Sequence, residues 1–251
     1  MSLFDLTGKT AVVTGAGRGL GEAIALGLAR AGADVALVTN RTPADKTADA
    51  VRALGRKAIT IQADIADRTK LAGIIERTVD ELGRIDVLVN NAGIIRRTPA
   101  AEHSYEDWQD VLDVNLNSVF LLSQLAGKHM IEQGSGKIIN IASMLSYQGG
   151  INVPGYTSSK HAVAGLTKAL ASEWAGKGLQ VNAIAPGYMS TDNTEALRDD
   201  PVRSTQILQR IPAGRWGTSE DLIGPAVFLA SAASDYMNGH IMAVDGGWLV
   251  R

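Results

Sequence analysis

Lys9-Thr10-Ala11-Val12-Val13-Thr14 reads as a buried strand that runs directly into Gly15-Ala16-Gly17-Arg18-Gly19-Leu20-Gly21 and then into the helical run 22–29. A strand that turns through glycines into a helix is the start of a β-α unit, and the rest of the chain repeats that alternation. Short apolar runs recur at 34–38, 58–62, 86–89, 137–141, 180–184 and 240–244, and the segments between them are long enough for crossover helices. Seven strands joined in this way imply a parallel, doubly wound sheet with right-handed crossovers and helices on both faces. Ser104 with Asp107, and Thr218 with Asp221, put a capping hydroxyl three residues ahead of a carboxylate and mark two helix starts.

A length of 251 residues suits a single α/β domain over 1–251. Its one irregular stretch runs from Pro186 to about Gly217, longer than a routine connection, and a lid over about 187–217 is expected there. The formal net charge of −2 gives no general attraction to nucleic acid or to an anionic membrane, and neither is expected as a partner. The absence of cysteine removes disulfides and thiolate chemistry and fits a reducing compartment. The start, Met1–Lys9, lacks the basic and apolar regions of a signal peptide, and no apolar stretch approaches the roughly 20 residues that span a bilayer. A soluble, cytoplasmic protein is expected.

Two motifs carry chemistry. The glycine turn lets the backbone approach a pyrophosphate closely, while the free amides and dipole at the helix start attract the anion. The spacing is Gly15-x-x-x-Gly19-x-Gly21 rather than Gly-x-Gly-x-x-Gly, yet strand before and helix after favour a Rossmann-type nucleotide site. The second motif is Tyr156-Thr157-Ser158-Ser159-Lys160, which follows Ser143 at the end of the fifth apolar run. Positions i and i+4 share a helix face, so a phenol and an ammonium are presented together. A nearby cation favours the phenolate, so Lys160 is expected to tune Tyr156 toward proton transfer. The four histidines, His103, His129, His161 and His240, are scattered and have no metal-ligand spacing. No metal is expected, and of the four only His161 adjoins the motif.

Ligands of open α/β sheets bind at the carboxyl ends of the strands, and Thr14-Gly15, Asp64, Asn90-Asn91-Ala92-Gly93, Ser143 and Pro186-Gly187 all fall there. In order and spacing these motifs, with Asn115 and Tyr156-x-x-x-Lys160, resemble the short-chain dehydrogenase/reductase family over essentially the whole chain. The resemblance implies an NAD(P)-dependent oxidoreductase. Tyr156 would exchange the proton, Ser143 would hold the substrate oxygen, Lys160 would bind the nicotinamide ribose, and Asn115 would position a water in a proton relay. It also implies a cofactor site built from Gly15, Arg18, Gly19, Leu20 and Gly21, then Thr39, Asn40 and Arg41. Asp64, Ile65, Asn91, Ala92 and Gly93 would follow, with Tyr156, Lys160, Pro186, Gly187, Met189 and Thr191 completing it.

The second apolar run ends Val38-Thr39-Asn40-Arg41 without the carboxylate that commonly holds the adenosine ribose of NAD, and Arg18 and Arg41 are both available to a 2′-phosphate. NADP is therefore admitted, while the resemblance leans toward NAD. Further segments, 90–97, 141–150, 186–194, 211–217 and 245–251, are similar to a branch of the family that acts on keto-deoxy sugar acids. Such a substrate needs its carboxylate matched. Arg96 is the preferred grip over Arg97, and Gln148, Tyr188, Asn193 and Arg203 are further polar candidates near Ser143 or on the expected lid. A homotetramer is implied by the same resemblance. The alternatives are a gluconate 5-dehydrogenase, a 3-oxoacyl carrier-protein reductase, or, in another class, a non-catalytic NAD(P)-sensing protein.

Overall fold

The computed structural model describes residues 3–251, apart from the side chain of Asn193. Strand β1 (Thr10–Thr14) turns into α1 (Gly19–Arg30), and two more units follow as β2 (Asp34–Thr39) with α2 (Asp45–Ala53) and β3 (Ala58–Gln62) with α3 (Arg68–Leu82). The chain then forms β4 (Val87–Asn90), α4 (Tyr105–Leu112), α5 (Ser118–Gln133), β5 (Gly136–Ile141), α6 (Pro154–Trp174) and β6 (Leu179–Pro186). After the short helices α7 (Glu195–Asp199) and α8 (Pro201–Arg210) come α9 (Ile223–Ala230) and β7 (Ile241–Val244). Among the described residues, the seven strands make one sheet in the order β3-β2-β1-β4-β5-β6-β7, and every pairing is parallel.

Alternation along each strand sends successive side chains to opposite faces. In β1, Ala11 and Val13 join the core under α1 and α9 with Ile24, Leu28 and Leu229. Val12 points the other way, into the core with Leu71 of α3, Leu122 of α5 and Trp174 of α6. Burial on both faces is why the strands read as continuous apolar runs rather than alternating ones. The chain leaves β1 for β2 and β3 on one side and returns to β4 on the other, which opens a crevice between the carboxyl ends of β1 and β4.

Both expected helix starts are capped. Ser104 accepts the Asp107 amide at 3.0 Å, and Thr218 and Asp221 form a reciprocal capping box, although that box opens a 3-10 turn, Ser219–Leu222, ahead of α9. Between α4 and α5 the helix widens into one π turn, Asp113–Asn117, a distortion that the periodicity of the sequence does not announce. No helix among the described residues is long and apolar enough to cross a membrane.

Candidate active site

The crevice is a cleft of about 700 Å³ that runs from the glycine turn, past the ends of β2, β3 and β4, to Tyr156 and Lys160. At its floor Gly19 has φ +57°, in the left-handed region that glycine adopts without strain. A Cβ on Gly21 would lie 2.2 Å from the Gly15 carbonyl oxygen, so only glycine lets α1 start this close to the turn. No side chain caps the start of α1, where Arg18 is extended. The amides of Gly19, Leu20 and Gly21 therefore have no carbonyl of their own helix to bond. A cradle with no room for side chains and with unfilled amides fits a pyrophosphate. Asn91 fastens the two sides, accepting nothing from the cleft: its side-chain amide donates to Thr14 O at 2.7 Å and its backbone amide to Thr14 Oγ1 at 2.9 Å.

Of the residues assigned to a cofactor, Gly15, Arg18, Gly19, Leu20, Gly21, Thr39, Asn40, Arg41, Asp64, Ile65, Asn91, Ala92, Gly93, Tyr156, Lys160 and Thr191 all line this cleft. Pro186, Gly187 and Met189 do not. Pro186 completes β6 opposite Val244, Gly187 packs where a Cβ would meet the Asp245 backbone at 2.6 Å, and Met189 is buried and bridged to Gly217. Backbone pairing joins this segment to β7 and to Gly217 before Thr191 reaches the cleft wall. The sequence reading missed Gly17, Thr42, Ala66, Asp110 and Asp192 on the cleft wall. Gly17 and Thr42 were signalled by proximity to motif residues, whereas nothing local marks Asp110, which reaches the wall from α4.

At the reacting end, Pro154 at the first position of α6 sets the helix start so that Tyr156 lies in its first turn and Lys160 one turn on. The Lys160 ammonium donates to the Ile141 carbonyl at 2.6 Å and lies 5.5 Å from the centroid of the Tyr156 ring. Its burial pulls its pKa down to about 8. Tyr156 is half-buried as a residue, yet crowding around its hydroxyl pushes the phenol above its ordinary value. A hydrogen bond with Ser143 and the positive field of Arg97 oppose that rise. The cation expected to tune Tyr156 was Lys160. In the cofactor-free chain that influence comes from Arg97, because Lys160 is itself desolvated and directed at a strand carbonyl. Ser143 Oγ accepts the Leu145 amide at 3.1 Å, which leaves the Ser143 hydrogen to face an oxygen in the site.

Asn115 is fully buried in the π turn. Its oxygen accepts the Ile94 amide at 2.8 Å, and its amide donates to Ile94 O at 2.9 Å and to Ser159 Oγ at 3.2 Å. Both side-chain hydrogens are thus committed to protein acceptors, and the side chain ties the segment after β4 to α6. π turns often mark functional positions.

The substrate candidates divide. Arg96 lines the cleft, but its guanidinium is shared between Asp107 and Asp110, each at 3.2 Å, so a substrate carboxylate would have to compete with two resident ones. Gln148 accepts the Trp248 indole N–H at 3.3 Å. Tyr188 is packed edge-on to Trp216 at 5.5 Å and against Trp248 at 4.6 Å. Arg203 is exposed on α8, directed at Gln206, and does not reach the cleft. The side chain of Asn193 lies outside the described residues. His161 is exposed and its Nδ1 faces the Thr157 carbonyl at 3.0 Å, along the helix rather than into the site.

A family model described as short chain dehydrogenase matches residues 9–202. A 2-dehydro-3-deoxy-D-gluconate 5-dehydrogenase of Escherichia coli (strain K12) is 56% identical over 252 residues, covering 100% of this chain and 99% of that protein. A protein of the same name from Bacillus subtilis (strain 168) is 57% identical over 250 residues, covering 99% and 97%. Among solved structures, a gluconate 5-dehydrogenase from Burkholderia cenocepacia J2315 in complex with NADP and tartrate superposes with a TM-score of 0.95 at 42% identity, covering 99% and 98%.

Proposed function

The chain belongs to the short chain dehydrogenase family and is an NAD(P)-dependent oxidoreductase acting on CH–OH groups, and from that premise we propose that its substrate is a keto-deoxy sugar acid. The specific activity proposed is that of a 2-dehydro-3-deoxy-D-gluconate 5-dehydrogenase. The observation that carries it is the meeting of the Tyr156 hydroxyl with Ser143 under the field of an arginine, in a chain 56% identical to an enzyme of that name.

When bound, the nicotinamide supplies or takes up the hydride. Reduction of a carbonyl leaves negative charge on its oxygen, and the Ser143 hydroxyl, a donor beside Tyr156, is placed to hold that oxygen. The Tyr156 hydroxyl delivers the proton to the same atom, and in the oxidative direction it receives it. Burial keeps Tyr156 protonated at neutral pH, which suits the donor role. Lys160, one turn behind, faces the cleft where the ribose of a dinucleotide would lie, and Asn115 fixes α6 against the loop after β4. The segment 187–217 is proposed as the substrate lid of a single domain, hinged on the Tyr188, Trp216 and Trp248 cluster.

The positive field of Arg97 reaches the reacting hydroxyl, which supports Arg97 as the carboxylate grip in place of Arg96.

For the cofactor, the rim formed by Thr39, Asn40, Arg41 and Thr42 has no carboxylate to select the unphosphorylated ribose. Arg18 is ion-paired with Asp192, which favours Arg41 as the donor to a 2′-phosphate. The NAD preference rests on sequence resemblance alone, and acceptance of NADP is supported by Arg41. Replacing Arg41 with Ala is expected to raise KM for NADPH about tenfold or more, the worth of a charge-assisted hydrogen bond, with KM for NADH little changed. Equal effects on both would remove Arg41 from phosphate recognition.

Lys160 gives a pH signature. Ribose hydroxyls accepting from its ammonium favour the protonated form, so the complex holds this proton more tightly than the free enzyme, where the group titrates at about 8. The affinity for NADH is then expected to be flat below that value and to weaken by up to about tenfold per pH unit above it, with proton uptake on binding. Calorimetry in buffers of different ionisation heat reads the uptake, and the slope should vanish in Lys160→Met.

A homotetramer in the cytoplasm is proposed, where the nicotinamide pool serves the reaction. Tyr105 on α4 and Phe120 on α5 remain exposed in the single chain, which supports an interface over those helices, and light scattering on the eluted protein tests it. The test of the activity is a panel of sugar acids, neutral polyols and acetoacetyl thioesters with each cofactor. Turnover confined to sugar acids is expected, and preference for the thioester would transfer the chain to the carrier-protein reductases.

A further inference from the structure

We propose that Ser146 is a positioning residue for the reaction, a hydroxyl that holds Ser143 in register with Tyr156 and Lys160. This inference rests on the reading of Ser143 and Tyr156 as the pair that handles the substrate oxygen. Those two side chains belong to different elements. Ser143 sits at the carboxyl end of β5, at the start of a single 3-10 turn, Met144–Ser146, whereas Tyr156 and Lys160 belong to α6. Nothing in the covalent chain fixes the distance between them, because 147–153 forms a loop.

The Ser146 hydroxyl bridges the two elements. It accepts the backbone N–H of Ser143 at 3.3 Å and donates its own hydrogen to the backbone carbonyl of Lys160 at 2.7 Å. A second bond lies alongside, from the Lys160 ammonium to the Ile141 carbonyl at 2.6 Å. Together they close a ring that runs from Ile141 through Ser143 and Ser146 to Lys160 and back. The ammonium side of that ring is exposed to change, since the same amine is needed at the cofactor ribose. With the Lys160 ammonium engaged by a ribose, the Ser146 bridge would still tie the backbone of α6 to the Ser143 turn. Ser146 is not itself part of the cleft lining, and its hydrogen bonds do not reach the reacting hydroxyl, so its influence on the chemistry runs through Ser143.

A hydroxyl at this position also explains the local sequence. The 3-10 turn opens on a capping box, in which the hydroxyl of its last residue, Ser146, accepts the backbone amide of Ser143. Any acceptor of that size would complete the box, but only a hydroxyl also has a hydrogen to give to α6. Threonine preserves both functions, whereas valine, of the same shape, has neither.

The test compares Ser146→Thr with Ser146→Val, beside Ser143→Ala and Tyr156→Phe as controls, in the full-length enzyme. The valine enzyme is expected to keep its affinity for NADH, read by the fluorescence of the bound cofactor, and its KM for the sugar acid. Its kcat should fall by about 10²-fold, the usual scale for displacement of a positioned group. The kinetic isotope effect with deuterated NADH should rise, because hydride transfer becomes the slow step. A residue that merely stabilised the fold would lower the melting temperature and the yield of active enzyme without moving the isotope effect. The threonine enzyme should recover most of kcat. If valine and threonine enzymes have the same kcat and isotope effect while both controls are inactive, Ser146 does not position Ser143. If the Tyr156→Phe control is active, the assignment on which the inference rests is wrong instead.

Discussion

Replacing Tyr156 with Phe is expected to reduce kcat by about 10²–10⁴-fold, the usual worth of a positioned general acid, while NADH and NADPH still bind. The substitution keeps the ring that stands 5.5 Å from the Lys160 ammonium and removes only the oxygen bonded to Ser143. Packing at the start of α6 therefore survives, and the loss is confined to the proton that the reaction must move. Steady-state turnover, set against cofactor affinity measured by fluorescence, separates the two quantities. A Phe enzyme with near-normal kcat would assign the proton to another group.

Replacing Arg97 with Met should raise KM for the sugar acid by about 10–100-fold, the range of a hydrogen bond to a charged group, and leave neutral polyols nearly unaffected. A smaller second effect follows from the field of Arg97 on Tyr156. That field opposes the upward push of burial on the phenol, so its loss should move the alkaline limb of the pH–rate profile further up. The matching Arg96→Met enzyme frees Asp107 and Asp110 and is expected to alter stability more than substrate recognition. If Arg96→Met gave the larger KM effect, selective for acids, the sequence preference for Arg96 would stand and the reassignment would fail.

The choice between these adjacent arginines shows where sequence reasoning stopped. Both follow the end of β4 in a segment without regular structure, so no periodicity assigns their directions. What the sequence does not announce is a pair of carboxylates on α4, more than ten residues further along, which hold Arg96. The π turn at Asp113–Asn117 was hidden for a similar reason: its sequence is compatible with uninterrupted helix, and the wider turn accompanies the bonds of Asn115 to Ile94 and Ser159. Pro186, Gly187 and Met189 were given to the cofactor on their motif, and the pairing of this segment with β7 and Gly217 is a tertiary event that the motif does not announce.

What was legible is what depends on local pattern. The strand, glycine turn and α1 were read directly because steric exclusion at Gly21 and the left-handed Gly19 are properties of a few consecutive residues. The seven strands were found within a residue or two because burial on both faces writes itself as continuous apolar runs, and parallel order then follows from the crossover lengths. Tyr156 and Lys160 were legible because helical spacing alone puts them on one face. The direction of the shift at Tyr156 was not, since it depends on how much protein surrounds the hydroxyl rather than on which residues are neighbours in the chain.

The most direct measurement follows a label. With NADH deuterated at the hydride-donating carbon and the oxidised form of the keto-deoxy sugar acid as substrate, the deuterium should appear on the newly formed carbinol carbon of the product, as read by NMR, and none should be lost to water. Cofactor that binds tightly in the cleft, yet transfers no label to any sugar acid, would contradict the proposed reaction and leave a protein that only senses its nucleotide.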